Sequence, residues 1–163
     1  MTSADQNDTP THPAVHLRRA KLSDLACIVD FNQKMAKETE DLDLPLSVVQ
    51  GGVSAVLDAS RPACYFVLED HGVVAAQLMI TYEWSDWRCA NIWWIQSVYV
   101  VPEHRKKGYF RELYAYVKQE ALASKACGLR LYADNGNTRA HMAYEKLGMS
   151  SHYKVYEDMF TEY

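Results

Sequence analysis

The residues best suited to chemistry lie in one run, Val98-Tyr99-Val100-Val101-Pro102-Glu103-His104-Arg105-Lys106-Lys107-Gly108-Tyr109-Phe110-Arg111. An apolar strand ends at Pro102, cationic residues and a glycine follow, and a helix begins. The first N–H groups of a helix lack intrahelical acceptors, the helix dipole favours an anion there, and a glycine lets backbone come close. Ringed by Arg105, Lys106, Lys107 and Arg111, such a turn suits a diphosphate. The plainer alternative is a solvated basic turn that merely starts a helix. Neither GxxxxGK[ST] nor GxGxxG occurs, so a Walker loop and a dinucleotide fingerprint are excluded.

A second constellation follows about thirty residues later. Asn137 opens a helix with Ala140, Ala143, Tyr144 and Leu147 on one stripe, and Gly148 closes it. Together the two stretches resemble the GNAT acetyltransferase superfamily. Arg105-Lys106-Lys107-Gly108-Tyr109-Phe110 is similar to its acyl-CoA motif, Arg/Gln-x-x-Gly-x-Gly/Ala, with Phe110 where Gly or Ala is usual. Asn137 to Met149 is similar to its Asn-x-x-Ala-x-x-x-Tyr-x-x-x-Gly-Phe. The resemblance spans about His16 to Phe160 and is nearest to the polyamine and diamine (spermidine/spermine, thialysine) acetyltransferases.

That resemblance implies acetyl-CoA as cosubstrate and no metal. It implies a fourth strand splayed from the fifth, with Val98, Tyr99 and Val100 lending backbone hydrogen bonds to the pantetheine arm. A backbone amide near Val98 would stabilise the tetrahedral intermediate. Arg105, Lys106, Lys107, Gly108, Tyr109, Phe110 and Arg111 would surround the diphosphate, the amides of Lys106 through Arg111 donating to it. Asn137 would bond the pantetheine arm, serve as a plain N-cap, or do both. Tyr144 would protonate the departing thiolate, since a phenol of pKa ~10 keeps its proton at neutral pH.

The acceptor would be a primary amine, with a small cationic amine as the expectation. A protein lysine or N-terminus is the alternative within the enzyme class, and a non-catalytic acyl-CoA-binding regulator the alternative outside it. A lysine-like amine of pKa ~10.4 is neutral in only about one part in 2,500 at pH 7, so its proton must be removed. The polyamine relatives place a glutamate on the fourth strand, where this chain has Gln96, which cannot act as a base. Glu83 is the replacement candidate, directly or through water, against the alternative of a solvated hairpin carboxylate. Glu38 and Glu40, in the acidic stretch Glu38-Thr39-Glu40-Asp41, join Glu83, Trp84 and Gln96 as candidate substrate contacts. Trp84, Trp87 and Trp93 could offer cation–π faces. Met35, Met79 and Met142 read as core filler, and His104 as a surface residue.

Positioning these groups requires a strand at His16–Arg19, a helix capped by Ser23, and a second helix over Ser47–Asp58. Strands Cys64–Leu68 and Val73–Tyr82 follow, then a polar hairpin loop at Glu83–Arg88 and a nearly apolar strand, Asn91–Val101. After the Gly108 helix come a strand at Leu129–Tyr132, the Asn137 helix and a last strand, Tyr153–Phe160. The pattern gives an α/β fold: a mixed, mostly antiparallel sheet of six to seven strands with helices on both faces. Residues 1–14 are expected to form a disordered tail and 15–163 a single domain.

Composition bounds the rest. The 163 residues are 48% hydrophobic and 23% charged, as in a folded globule, and the net charge of −4 gives no basic field for nucleic acid. No apolar run reaches the ~20 residues of a bilayer span, so no membrane partner is expected. Cys27, Cys64, Cys89 and Cys127 lie apart with no CxxC, which reads as reduced thiols in a cytoplasmic protein without a zinc site. The resemblance, with Tyr153, Tyr156 and Phe160 near the C-terminus, leads us to expect a homodimer.

Overall fold

A computed structural model describes residues 14–161, so all but the last residue of the expected tail lies outside the described residues. The elements are β1 (Val15–Arg19), α1 (Leu25–Glu40), α2 (Leu46–Leu57), β2 (Ala63–Asp70), β3 (Val73–Ser85), β4 (Ala90–Val100), α3 (Tyr109–Ala123), β5 (Gly128–Arg130) and α4 (Thr138–Lys146). The strands form one sheet in chain order, antiparallel except for the parallel pair β4–β5. Successive residues of a strand face opposite sides. Phe66, Leu68, Leu78, Ile80, Trp93 and Ile95 therefore meet Leu113, Val117 and Ala121 of α3 on one face. On the other, Tyr65 and Met79 meet Ile28 and Val29 of α1 and Val53 of α2. Fully burying one such side chain stabilises the fold by about 1.5–3 kcal/mol, so these two layers hold the sheet in place.

Two irregularities of β4 shape the molecule. First, its register with β3 passes from Met79↔Gln96 to Gln77↔Tyr99, so Leu78 faces both Ser97 and Val98, and Ser97 sits at φ 50. This bulge reverses the alternation. Before it Trp93 and Ile95 face α3; after it Val98 and Val100 do, while Tyr99 turns to α1 with its ring 5.1 Å from Phe31. Second, β5 matches only Ile92, Trp93 and Trp94. From Ile95 onward β4 thus has no strand on that edge among the described residues.

Several expectations are corrected. Among the described residues the sheet has five strands rather than six to seven, because residues 150–161 form no strand and Tyr153, Tyr156 and Phe160 are exposed. A strand needs a paired neighbour and a face to bury, and three-residue β5 offers little of either. Glu83, Trp84 and Ser85 extend β3, and the turn is confined to Asp86–Cys89, where Asp86 Oδ1 accepts the Trp87 N–H. Asp24 rather than Ser23 stands at the N-cap of α1, after a short 3-10 turn; its carboxylate accepts the Lys21 N–H and pairs with Arg18. Met142 is exposed rather than core.

Candidate active site

The loop from β4 to α3 is built as an anion cradle. Lys106 and Gly108 both adopt positive φ, 65 and 86. Gly108 forms the N-cap of α3 with no side chain over it, and a Cβ there would meet nothing nearer than Arg111 Nη2 at 3.6 Å. Backbone conformation, not crowding, therefore calls for glycine at this position. The Arg105 N–H bonds to Pro102 and the Glu112 N–H to Gly108, whereas the N–H groups from Lys106 to Arg111 have no acceptor among the described residues. Lys106, Lys107 and Arg111 are exposed beside them and make no ion pair among the described residues. The arrangement fits the diphosphate of a coenzyme A thioester: consecutive donors without acceptors among the described residues, a positive helix end and exposed cations.

The loop is anchored from beneath by side chains expected to face the ligand. Tyr109 is buried, and its hydroxyl donates to Asp70 Oδ2 at 2.6 Å, so only its amide is available to a ligand. Burial and that carboxylate push the phenol up to about 12, while the Tyr109 bond, with His71, His104 and Lys107 nearby, holds Asp70 below its usual range. His104 is half-buried at 3.1 Å from Asp70 and 5.5 Å from the Tyr109 ring, not a surface residue. Arg105 also turns inward: Nε donates to the Val100 carbonyl at 2.9 Å, Nη2 to Glu38 Oε2 at 2.6 Å, and the guanidinium covers Tyr99. Glu38 accepts the Tyr99 hydroxyl as well. Both Glu38 oxygens thus tie α1 to the cradle, and Glu40 lies exposed beyond. Phe110 packs against the α3 core, with Tyr114 at 6.3 Å and Tyr144 edge-on at 5.7 Å, so its ring is drawn off the cradle surface.

Tyr144 therefore stands beside the first turn of α3, where the motif brings Asn137's helix back to the cradle. Burial raises its pKa, and its hydroxyl has no hydrogen-bond partner among the described residues. Asn137 Oδ1 accepts the Ala140 N–H at 3.1 Å and so caps α4.

On the α1 face of the sheet, Thr81, Tyr82, Glu83, Trp94, Gln96, Tyr132 and Val155 line an open cavity of about 420 Å³. Gln96 Nε2 donates to Thr81 at 2.6 Å. Glu83 accepts Trp94 Nε1 at 2.5 Å and Arg130 Nη1 at 2.8 Å, and those two bonds hold its carboxyl below the usual range. The expected tryptophans do not gather here. Trp84 follows Glu83 and projects from the opposite face, Trp87 is exposed at the turn, and Trp93 is buried against α3. Their place is taken by Trp94, under the Arg130 guanidinium, with Tyr132. Neither Arg130 nor Trp94 stood out in the sequence. The pairing of Glu83 with β4, and of β4 with β5, is what unites them.

Among the described residues no cluster of His, Cys, Asp and Glu could hold a metal, and no helix is long and apolar enough to cross a membrane. No curated protein matches the chain. Among solved structures it is similar to a possible acetyltransferase from Clostridium difficile 630, at 41% identity over 91% of this chain and 99% of that one, with a TM-score of 0.84. Two more distant structures share the fold. A predicted acetyltransferase with acetyl-CoA from Clostridium acetobutylicum is 14% identical over 89% and 96% of the two chains, TM-score 0.73. A ribosomal-protein-alanine N-acetyltransferase from Brucella melitensis biovar Abortus 2308 is 17% identical over 91% and 100%, TM-score 0.75. None of these carries the expected closeness to polyamine enzymes. Residues 29–149 match the Acetyltransferase (GNAT) family, and the chain belongs to that family of N-acetyltransferases.

Proposed function

We propose that this enzyme transfers the acetyl group of acetyl-CoA to a primary amine held against Glu83, Trp94 and Gln96. The observation that carries the reading is the unbroken run of acceptor-free N–H groups from Lys106 to Arg111, beside an unpaired β4 edge. Acetyl-CoA supplies an activated acyl group as a thioester. In this reading the cradle amides hold the diphosphate, and the backbone at Val98, Tyr99 and Val100 aligns the pantetheine arm. Arg105 keeps the Val100 carbonyl for itself, leaving the remaining groups of that edge for the arm. Asn137 adds its side-chain N–H groups, which have no acceptor among the described residues. Tyr144, kept protonated by burial, gives its proton to the sulfur as the carbon–sulfur bond breaks and the carbon–nitrogen bond forms.

The amine must first lose a proton. Glu83 is a poor direct base for a group of pKa ~10.4, since Trp94 and Arg130 stabilise its charged form. Its role in our reading is to hold the ammonium and order the water that carries the proton away. The Arg130 partner also neutralises much of the Glu83 charge, and Glu38 is spent on Arg105. The small amine is therefore one with modest rather than multiple positive charge. A peptide amine is the second reading, favoured by the open form of the cavity. The exposed Tyr153, Tyr156 and Phe160 support self-association as part of the same proposal, to be counted by sedimentation.

The test is a panel of monoamines, diamines, amino-acid derivatives and peptides with acetyl-CoA, reading thiol release with and without each acceptor. Acceptor-dependent release with small amines supports the proposal. Release with peptides alone overturns the substrate class, and absence of saturable coenzyme A binding by calorimetry overturns the whole reading.

A further inference from the structure

Beneath the β4 bulge lies a polar cluster that the reaction as described does not use. Gln77 of β3 is fully buried, and Asn32 of α1 and Tyr65 of β2 are nearly so. Gln77 Nε2 donates to Asn32 Oδ1 at 2.7 Å and to the Ser97 carbonyl at 3.3 Å. Asn32 Nδ2 donates to the Tyr65 hydroxyl at 3.1 Å. A chain of bonds from Tyr65 of β2 through Asn32 of α1 and Gln77 of β3 thus ends on the left-handed Ser97. Gln77 Oε1 has no partner among the described residues. The amide cannot be turned to relieve it, because its oxygen would then face the Ser97 carbonyl, which can only accept.

The orphaned Oε1 is destabilising, and an apolar side chain in its place would in turn leave Asn32 Oδ1 and the Ser97 carbonyl without their donor. The glutamine is held here for its two donated bonds. What they supply is a fixed direction for the Ser97 peptide. That peptide begins the stretch of β4 whose alternation is reversed and whose outer edge is unpaired.

We propose that Gln77, Asn32 and Tyr65 are positioning residues that hold the Ser97 bulge, and thereby aim the backbone N–H groups of residues 97–99 at the acyl carbonyl. The proposal rests on the acetyl-transfer reading above. The network touches no reacting atom; it acts through the backbone of β4.

The experiment compares wild type with Gln77→Met, and with Tyr65→Phe as the milder variant, in three measurements: acetyl transfer, acetyl-CoA affinity and thermal midpoint. Backbone amide shifts are recorded on adding acetyl-CoA. Gln77→Met is expected to lower kcat ~10-fold or more, a factor worth about one decade of transition-state stabilisation, with affinity within twofold and the midpoint lowered, since Asn32 Oδ1 and the Ser97 carbonyl lose their donor. The residue 97–99 amides that shift in wild type should stay still in the variant, while those of Lys106 to Arg111 still respond. Tyr65→Phe should show the same split at a smaller size. Equal shifts at 97–99 in wild type and both variants, or a kcat loss matched by an equal loss of acetyl-CoA affinity, overturns the proposal while the acetyl-transfer reading stands. A wild-type protein whose cradle amides do not respond overturns both.

Discussion

Replacing Tyr144 by Phe tests the acid step with little structural disturbance. The ring lies edge-on to Phe110 at 5.7 Å, a contact that Phe retains. The hydroxyl makes no hydrogen bond among the described residues, so its removal strands no partner. Folding stability should therefore change by less than about 1 kcal/mol. The cradle amides and Asn137 are untouched, so affinity for coenzyme A should stay within about twofold. Loss of a positioned general acid costs about 10²–10⁴-fold in rate. A thiolate of pKa ~8.5 is a tolerable leaving group even unprotonated, which places the expected loss near the lower figure, about 100-fold, or ~2.7 kcal/mol. Steady-state thiol release gives kcat, calorimetry the affinity, and thermal melting the stability. A kcat within threefold of wild type would refute the assignment; so would a loss matched by an equal loss of coenzyme A binding.

Further outcomes are expected. With wild type, kcat/KM for a lysine-like amine should rise about tenfold per pH unit from pH 7 toward ~10 as the acceptor itself deprotonates. Because burial raises Tyr144, the fall caused by losing its proton should lie above pH 10, and a plateau beginning near pH 5 would instead identify a carboxylate base. Gly108→Ala places a side chain at φ 86 and costs about 1–2 kcal/mol in that conformation. Calorimetry should then show coenzyme A binding weakened about tenfold, with amine recognition unaffected. Asp24 is buried and doubly bonded to Arg18, which holds its pKa below the unfolded value of ~3.9. Its stabilisation is complete above the unfolded value and lost as pH falls through the lower folded one. Denaturant titrations should show Asp24→Asn about 3 kcal/mol less stable at pH 7, with the gap narrowing as pH falls below the unfolded value of ~3.9.

How much of this was legible in the residues depends on whether the signal was local. The cradle could be read because a helix start, a glycine and adjacent cations are neighbours in the chain, and their geometry follows from local backbone chemistry. The Asn137-to-Gly148 helix could be read for the same reason, its cap and stripe being set by spacing. The α3 stripe of Leu113, Tyr114, Val117 and Ala121 was equally plain.

What escaped depended on register. Trp94 and Arg130 join Glu83 only because β3 pairs with β4 and β4 with β5 in a particular alignment, and a one-residue slip would send each side chain to the other face. For the same reason Trp84 and Trp93 looked like neighbours of the Glu83 carboxylate but lie on the other face of the sheet. Glu38 seemed a free carboxylate until Arg105, far along the chain, was brought to it. The Ser97 bulge left no mark in composition or periodicity, yet it turns Tyr99 toward α1. Local spacing determined which segments could bind an anion or form a helix; long-range pairing decided which side chains share a surface, because only tertiary contact fixes strand register.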